Sequence, residues 1–275
     1  MSVRDKTAEE LYLDLMKRCL TRYGFGDSWV PVQPPQAGWK AFVYRQVVKR
    51  TNRAIGFQRL PFDHSAREVG RDWPSEAETM IGLKRLENIQ ECVTDVIRNG
   101  VPGDLIETGA WRGGATIFMR AILAAYEDTD RVVWVADSFA GLPKPSGRYE
   151  ADHGDAHWTY SELAVSEEEV RANFERYGLL DEQVRFLKGF FQDTLADAPI
   201  EQLAVARLDG DMYESTIVAL EALYPKLSVG GYLIVDDWGA VPGCRQAVED
   251  YRREHGITEP VVEIDWTGVY WQRRD

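Results

Sequence analysis

No stretch of about 20 consecutive apolar residues occurs in the 275-residue chain, so no membrane-spanning helix is expected. The opening residues, MSVRDKTAEELYLDLMKRC, lack the uninterrupted apolar core of a secretory signal. Cysteine is scarce and odd in number. Cys19, Cys92 and Cys244 stand far apart, which argues against both a disulfide framework and a zinc cluster. Positive charge is in deficit, with 32 Lys and Arg against 45 Asp and Glu and a net charge of −13. Such a chain is poorly equipped to neutralise nucleic-acid phosphates or to dock on an anionic membrane, and neither partner is expected. There is no internal repeat and no low-complexity tract. A soluble cytoplasmic protein in a reducing compartment is the expectation.

What is present suits one large domain, or a domain with an appended segment: a chain of this length buries roughly 70–75% of its unfolded surface. Leu11, Leu15, Cys19 and Leu20 recur at helical spacing over residues 8–23. Residues 24–75 change character, with Pro31, Pro34, Pro35, Gly38 and Trp39 as breakers. A locally basic stretch follows, Lys40, Arg45, Lys49, Arg50 and Arg53, which reads as a solvated helix face, or else as a substrate lid or a contact with an acidic partner. Residues 1–75 are therefore set apart as an N-terminal helical and irregular extension, and residues 76–275 as the main domain.

The main domain alternates. A helix is expected to start at Ser75, with Glu76 and Glu78 in its first turn, and to end at Asn99-Gly100. Short apolar strands are expected at 104–107, 132–136, 184–187, 203–208 and 232–235. Helices are expected at 113–126, 166–177, 213–227 (stopped by Gly230-Gly231) and 243–255. Two strands at 261–264 and 269–272 close the chain around the Thr267-Gly268 turn. The pattern predicts an α/β, doubly wound, mostly parallel sheet covered on both faces, with one antiparallel strand.

Acidic residues gather where such a sheet binds ligands, beyond the carboxyl ends of its strands. Four strands finish in Glu107, Asp137, Asp209 and Asp236. The turn Glu107-Thr108-Gly109-Ala110-Trp111-Arg112-Gly113-Gly114 is glycine-rich but is neither a clean GxGxxG nor a Walker loop. Its acidic start suits a cationic ligand such as S-adenosylmethionine better than a diphosphate. Asp137, at the end of the next strand, suits ribose hydroxyls. Gln192-Asp193, after Gly189-Phe190-Phe191, offers an edge for adenine with a phenyl ring nearby. Asp209, Asp211, Asp236 and Asp237 would repel one another unless neutralised, and a hard divalent cation is the simplest remedy. Helix capping is the plainer reading of any one of them. His153 and His157, in the irregular 140–165 segment, each offer a base or sit as surface histidines.

These segments, in order, resemble the macrocin O-methyltransferase family: Glu107–Gly114, Val135–Phe139 with Gly141-Leu142-Pro143, Asn173-Phe174 to Tyr177-Gly178, Arg207–Tyr213 and Asp236-Asp237-Trp238. The resemblance runs from about Thr79 to Trp271. It implies a seven-stranded, Rossmann-like class I methyltransferase acting on sugar hydroxyls of bacterial antibiotics such as macrolides and aminocoumarins. It implies S-adenosylmethionine near Thr79, Met80, Glu107, Thr108, Gly109, Trp111, Arg112, Asp137, Ser138, Gln192, Asp193 and Asp209. It also implies Mg²⁺ on Asp209, Asp236 and Asp237, Asp211 as base, and a homo-oligomer. Thr79 and Met80 are expected on the helix before the first strand. A phenol or catechol O-methyltransferase is the nearest alternative. A Mg²⁺ phosphatase is a distant one, because Tyr213 replaces the Thr or Val that its Asp-x-Asp motif expects.

Overall fold

The computed structural model describes residues 6–31, 38–51 and 57–274. Helix α1 (Ala8–Leu20) opens on a capping box, in which the Thr7 hydroxyl accepts from the Glu10 N–H and Glu10 accepts from the Thr7 N–H. It buries Leu13, Met16 and Leu20. Leu11 and Leu15 lie on the opposite, exposed face, so the helix forms as expected but turns a different stripe inward.

The 24–75 segment is more ordered than its breakers suggest. Strands β1 (Ser28–Pro31) and β2 (Phe57–Leu60) pair antiparallel, helix α2 (Gly38–Thr51) lies between them in sequence, and α3 (His64–Glu68) follows. Gly38 and Trp39 open α2 rather than break structure, and Lys40, Arg45, Lys49 and Arg50 fall on it. Pro34, Pro35 and Arg53 lie outside the described residues.

Helix α4 (Leu83–Arg98) begins at Gly82, not at Ser75. Residues 75–82 form a loop instead, which carries Thr79 and Met80. Its backbone is held by tertiary contacts: the Glu78 carbonyl accepts from the Gly114 N–H at 2.9 Å, and Arg67 donates to the Met80 carbonyl. The helix ends at Asn99, with Gly100 at φ +64°, as the sequence suggests.

The remaining elements follow the expected alternation: β3 (Asp104–Thr108), α5 (Gly114–Ala125), β4 (Val133–Asp137), α6 (Glu167–Arg176), β5 (Val184–Lys188), α7 (Phe191–Thr194), β6 (Leu203–Leu208), α8 (Tyr213–Leu223), β7 (Leu227–Val235), α9 (Pro242–Glu254), β8 (Val262–Glu263) and β9 (Val269–Gln272). One boundary moves. Helix α8 stops at Leu223, before Pro225, and Gly230-Gly231 lie inside β7 rather than ahead of it.

The main sheet has seven strands in the order β5-β4-β3-β6-β7-β9-β8, and β9 runs antiparallel to both neighbours. Its middle strands read as continuous apolar runs because both faces are covered. On one face, α1, α4, α5 and α6 contribute Leu13, Ile89, Val93, Phe118 and Phe174 to the core. On the other, α8 and α9 contribute Ile217, Leu220, Ala247 and Tyr251. No described helix is long and apolar enough to cross a membrane.

Candidate active site

Strand register builds the site. Glu107 on β3 is level with Arg207 on β6, and Leu208 is level with Val235 on β7. Side chains two apart on a strand share a face. Glu107, Arg207, Asp209 and Asp236 therefore project together at the carboxyl edge, where adjacent strands release their chains.

Arg207 is 1% exposed and donates to three carboxylates: Glu107, Asp209 (2.8 Å) and Asp236. Arg85, on α4, donates to the other oxygen of Asp236 and to Asp265 (3.1 Å), in the loop between β8 and β9. The carboxylates thus have counter-ions within the chain, a partial alternative to the metal expected from the sequence. The compensation is incomplete. Among the described residues, Glu107, Asp209, Asp211, Asp236, Asp237 and Asp265 meet only these two guanidinium groups in direct contact, a formal excess of four negative charges.

That excess appears in the titration of the cluster. Burial pushes Glu107 up to about 8 despite Arg207. Burial and the charge of Asp209 push Asp211 up to about 7, against the pull of His157. Asp237 lies well above the usual carboxylate range because it is buried beside Asp211, Asp209 and Asp236. Carboxylate oxygens of Asp209, Asp236 and Asp237 all lie within 4.8 Å of one another. Asp211 sits at φ +56°, a left-handed conformation, and its N–H donates to Asp237 at 3.2 Å. A non-glycine residue held this way stores backbone strain in a turn at the centre of the cluster.

The glycine-rich turn lies against the same cluster. Gly109 has φ +87°, and a Cβ there would stand 1.8 Å from the Asp209 carbonyl oxygen. Only glycine lets the turns after β3 and β6 touch. Asp137 holds the turn from the other side, accepting from the N–H groups of Ala110 (2.7 Å), Trp111 (3.3 Å) and Phe139 (2.7 Å). Trp111 donates its indole N–H to the Glu162 carbonyl at 2.9 Å.

Two cavities open here and share Met80, Gly109, Trp111, Leu163, Asp209 and Asp211. The narrower, about 90 Å³, runs between Asp137, Ser138, Phe191 and Gln192, with Leu142 and Pro143 as an apolar wall. The wider, about 550 Å³, is floored by Glu107, Arg207 and the aspartates and also reaches Thr79. Nine of the twelve residues expected around a cofactor line one cavity or both. Three do not. Thr108 is buried, Asp193 is exposed on α7, and Arg112 turns outward to the carbonyls of Ser75 (3.0 Å) and Ala77 (2.9 Å). Of the two histidines, His157 lines the wider cavity and is held by Asp155 at 2.7 Å, whereas His153 is exposed elsewhere.

Sequence reasoning missed Arg85 and Asp265 as part of the site, and did not give Arg207 its role. Arg207 left a signal, being the single charge within the otherwise apolar strand LAVARL. Arg85 and Asp265, 180 residues apart, left none.

A seven-stranded sheet of this order, with paired cavities at its carboxyl edge, is the fold of a class I methyltransferase. The chain matches the family described as Macrocin-O-methyltransferase (TylF) over residues 9–273 and belongs to it. It is an O-methyltransferase, which removes the phosphatase reading. It is 53% identical over 267 residues to the 8-demethyl-8-(2,3-dimethoxy-alpha-L-rhamnosyl)-tetracenomycin-C 4'-O-methyltransferase of Streptomyces olivaceus, covering 96% of this chain and 93% of that one. It is 48% identical to the mycinamicin III 3''-O-methyltransferase of Micromonospora griseorubida over 274 residues, 97% and 98% of the two chains. The solved structure of the O-methyltransferase NovP superposes with a TM-score of 0.83 at 50% identity, covering 97% of this chain and all of that one.

Proposed function

We propose that this enzyme transfers the methyl group of S-adenosylmethionine to a hydroxyl of a sugar borne by a bacterial natural product, with a divalent cation on Asp209, Asp236 and Asp237 and with Asp211 as base. The observation that carries this reading is the anionic floor of the wider cavity, joined directly to a narrow cleft whose lining suits a nucleoside.

The residues fit both groups. Glu107 Oε2 is buried and has no hydrogen-bond partner among the described residues, so an acceptor is free for the ammonium of the cofactor's methionine part. Asp137 and Ser138 suit the ribose, and Gln192 with Phe191 suits the adenine. The three clustered aspartates supply only oxygen, the donor set of Mg²⁺ rather than zinc. Each oxygen of Asp236 already accepts from one arginine and keeps a second acceptor site. A bound cation would polarise a sugar hydroxyl and favour its alkoxide.

The chain's own residues do the rest. The walls of the joined cavities hold donor and acceptor together, which replaces a bimolecular encounter by an oriented one. S-adenosylmethionine would supply the methyl group and retain its sulfur as the thioether, and the Asp211 carboxylate would take the proton that the acceptor hydroxyl gives up. Burial raises the proton affinity of that carboxylate above that of a surface aspartate.

The sugar acceptor follows the activities for which relatives that share about half of this sequence are named. The deciding experiment titrates S-adenosylmethionine by calorimetry with and without Mg²⁺, then assays methylation of glycosylated natural products. Micromolar binding, silence with NAD and ATP, and methylation lost on adding EDTA are expected. Absence of cofactor binding under either condition removes the assignment of the cavities.

A further inference from the structure

The aspartate floor is one part of the wider cavity; its outer wall is aromatic. Trp73, Tyr160 and Trp266 line it and remain 52%, 45% and 40% exposed. They come from three separate loops, and each is held in place. Trp266 donates its indole N–H to the Val69 carbonyl at 2.8 Å, with the Arg71 guanidinium 5.2 Å from its ring centre. Trp73 meets Tyr160 edge to face, with ring centres 6.2 Å apart at 90°. Tyr160 meets His157 in the same manner at 5.7 Å. A row of rings thus leads from His157, within the wider cavity, to an outer crevice of about 280 Å³ bordered by Trp73, Tyr160 and Glu162.

Large aromatic side chains left open to water at one mouth, and fixed by their neighbours, mark a surface kept for a ligand. We propose that this rim is the subsite for the non-sugar part of the acceptor, and that it takes a planar aromatic aglycone. The proposal rests on the sugar-acceptor reading above: with the sugar hydroxyl at the aspartates, the substituent on the sugar leaves through this mouth and passes the rings. Planarity follows from what lines the crevice. Two ring systems and a single carboxylate supply few hydrogen bonds, so recognition rests on surface contact. A flat conjugated ring lies against Trp and Tyr over its whole area, whereas a puckered saturated ring touches by a few hydrogens.

The test uses two acceptors with one sugar, 2-naphthyl and methyl α-L-rhamnopyranoside, and reads the ratio of their kcat/KM values. Trp73→Leu and Tyr160→Leu should each lower the naphthyl-to-methyl ratio about tenfold, mostly through KM for the naphthyl glycoside, and Trp73→Phe should restore most of it. A ratio unchanged in both leucine variants overturns the proposal, even if both rates fall together. If the wild-type enzyme methylates neither glycoside, the sugar reading fails for these acceptors and the rim is judged by binding instead. Calorimetric titration of 2-naphthol into protein holding S-adenosylhomocysteine then decides. Binding that weakens about tenfold in Trp73→Leu upholds an aromatic subsite, and binding that is absent from the wild type or equal in the variant overturns it.

Discussion

Arg207 is buried among three carboxylates, and its loss would leave them facing one another with one of their two counter-ions gone. Replacing it by methionine should therefore destabilise the fold by about 3–5 kcal/mol, read from urea unfolding, because one member of a buried ion cluster is removed while the rest stay. Asp211, the proposed base, is expected to bear on turnover rather than on the fold. Asp211→Asn should lower kcat by about 10²–10⁴-fold while S-adenosylmethionine binds as before, and a variant of near-normal turnover would sink the base assignment. Gly109→Ala adds a Cβ to a residue at φ +87°, 1.8 Å from a backbone oxygen that cannot move without shifting β6. It should abolish cofactor binding in the calorimeter and lower the melting temperature. At this scale the acidic half of the site was legible, because an aspartate at the end of an apolar strand is a local signal. Its basic half was not. Arg85 and Asp236 are 151 residues apart in sequence, and only the folded sheet brings them together.

Among the elements, most strands and most helix starts were legible, and the start of α4 was not. A strand between two helical layers is apolar throughout, as in Val133–Ala136, and declares itself. A helix start is declared most plainly when its cap lies next to it in sequence, as Thr7 does for α1 and Ser166 for α6. Helix α8 starts at Tyr213, as expected, but its cap comes from elsewhere in the chain. Its cap residue Met212 supplies no side-chain acceptor, and Asp152, 61 residues before Tyr213, accepts from the N–H groups of Tyr213 (2.7 Å) and Glu214 (2.9 Å). Asp152→Ala should cost about 1–2 kcal/mol of stability in chemical unfolding, the effect of losing a helix cap, and should also free the 140–165 segment, seen as faster proteolysis there. The α4 start was misplaced for a related reason. Glu76 and Glu78 look like first-turn acids, but the chain at 75–82 is held by Gly114, Arg67 and Arg112 instead.

For the whole molecule, the charge excess at the sheet edge makes stability depend on what occupies it. A cation that binds the folded state alone should stabilise it by about 2.7 kcal/mol at a concentration one hundred times its dissociation constant. Mg²⁺ should accordingly raise the melting temperature, EDTA should reverse the rise, and Asp237→Asn should abolish the response. Asp236→Asn should weaken the response too, and should lower the baseline as well because Arg85 and Arg207 both lose a partner. A melting curve indifferent to Mg²⁺ and EDTA would leave the arginines as the cluster's only counter-ions. The fold class and the succession of strands and helices were evident from the sequence alone. The depth of the two cavities was not, since it is set by the loops at 69–82, 138–166 and 264–268, whose mutual contacts have no periodic signature.

Those loops also divide the molecule's inheritance. Gly109, Asp137, Arg207 and Asp209 are tied to neighbouring strands by register and close contact, so a change in any of them disturbs several others at once. Trp73, Tyr160 and Trp266 hang from connections that no strand pairing constrains. On the roles proposed above, the same scaffold could drift toward a new acceptor by loop exchange while its cofactor side stands still, and a chimera that takes these three loops from a relative should keep this enzyme's cofactor affinity and acquire the relative's choice of aglycone.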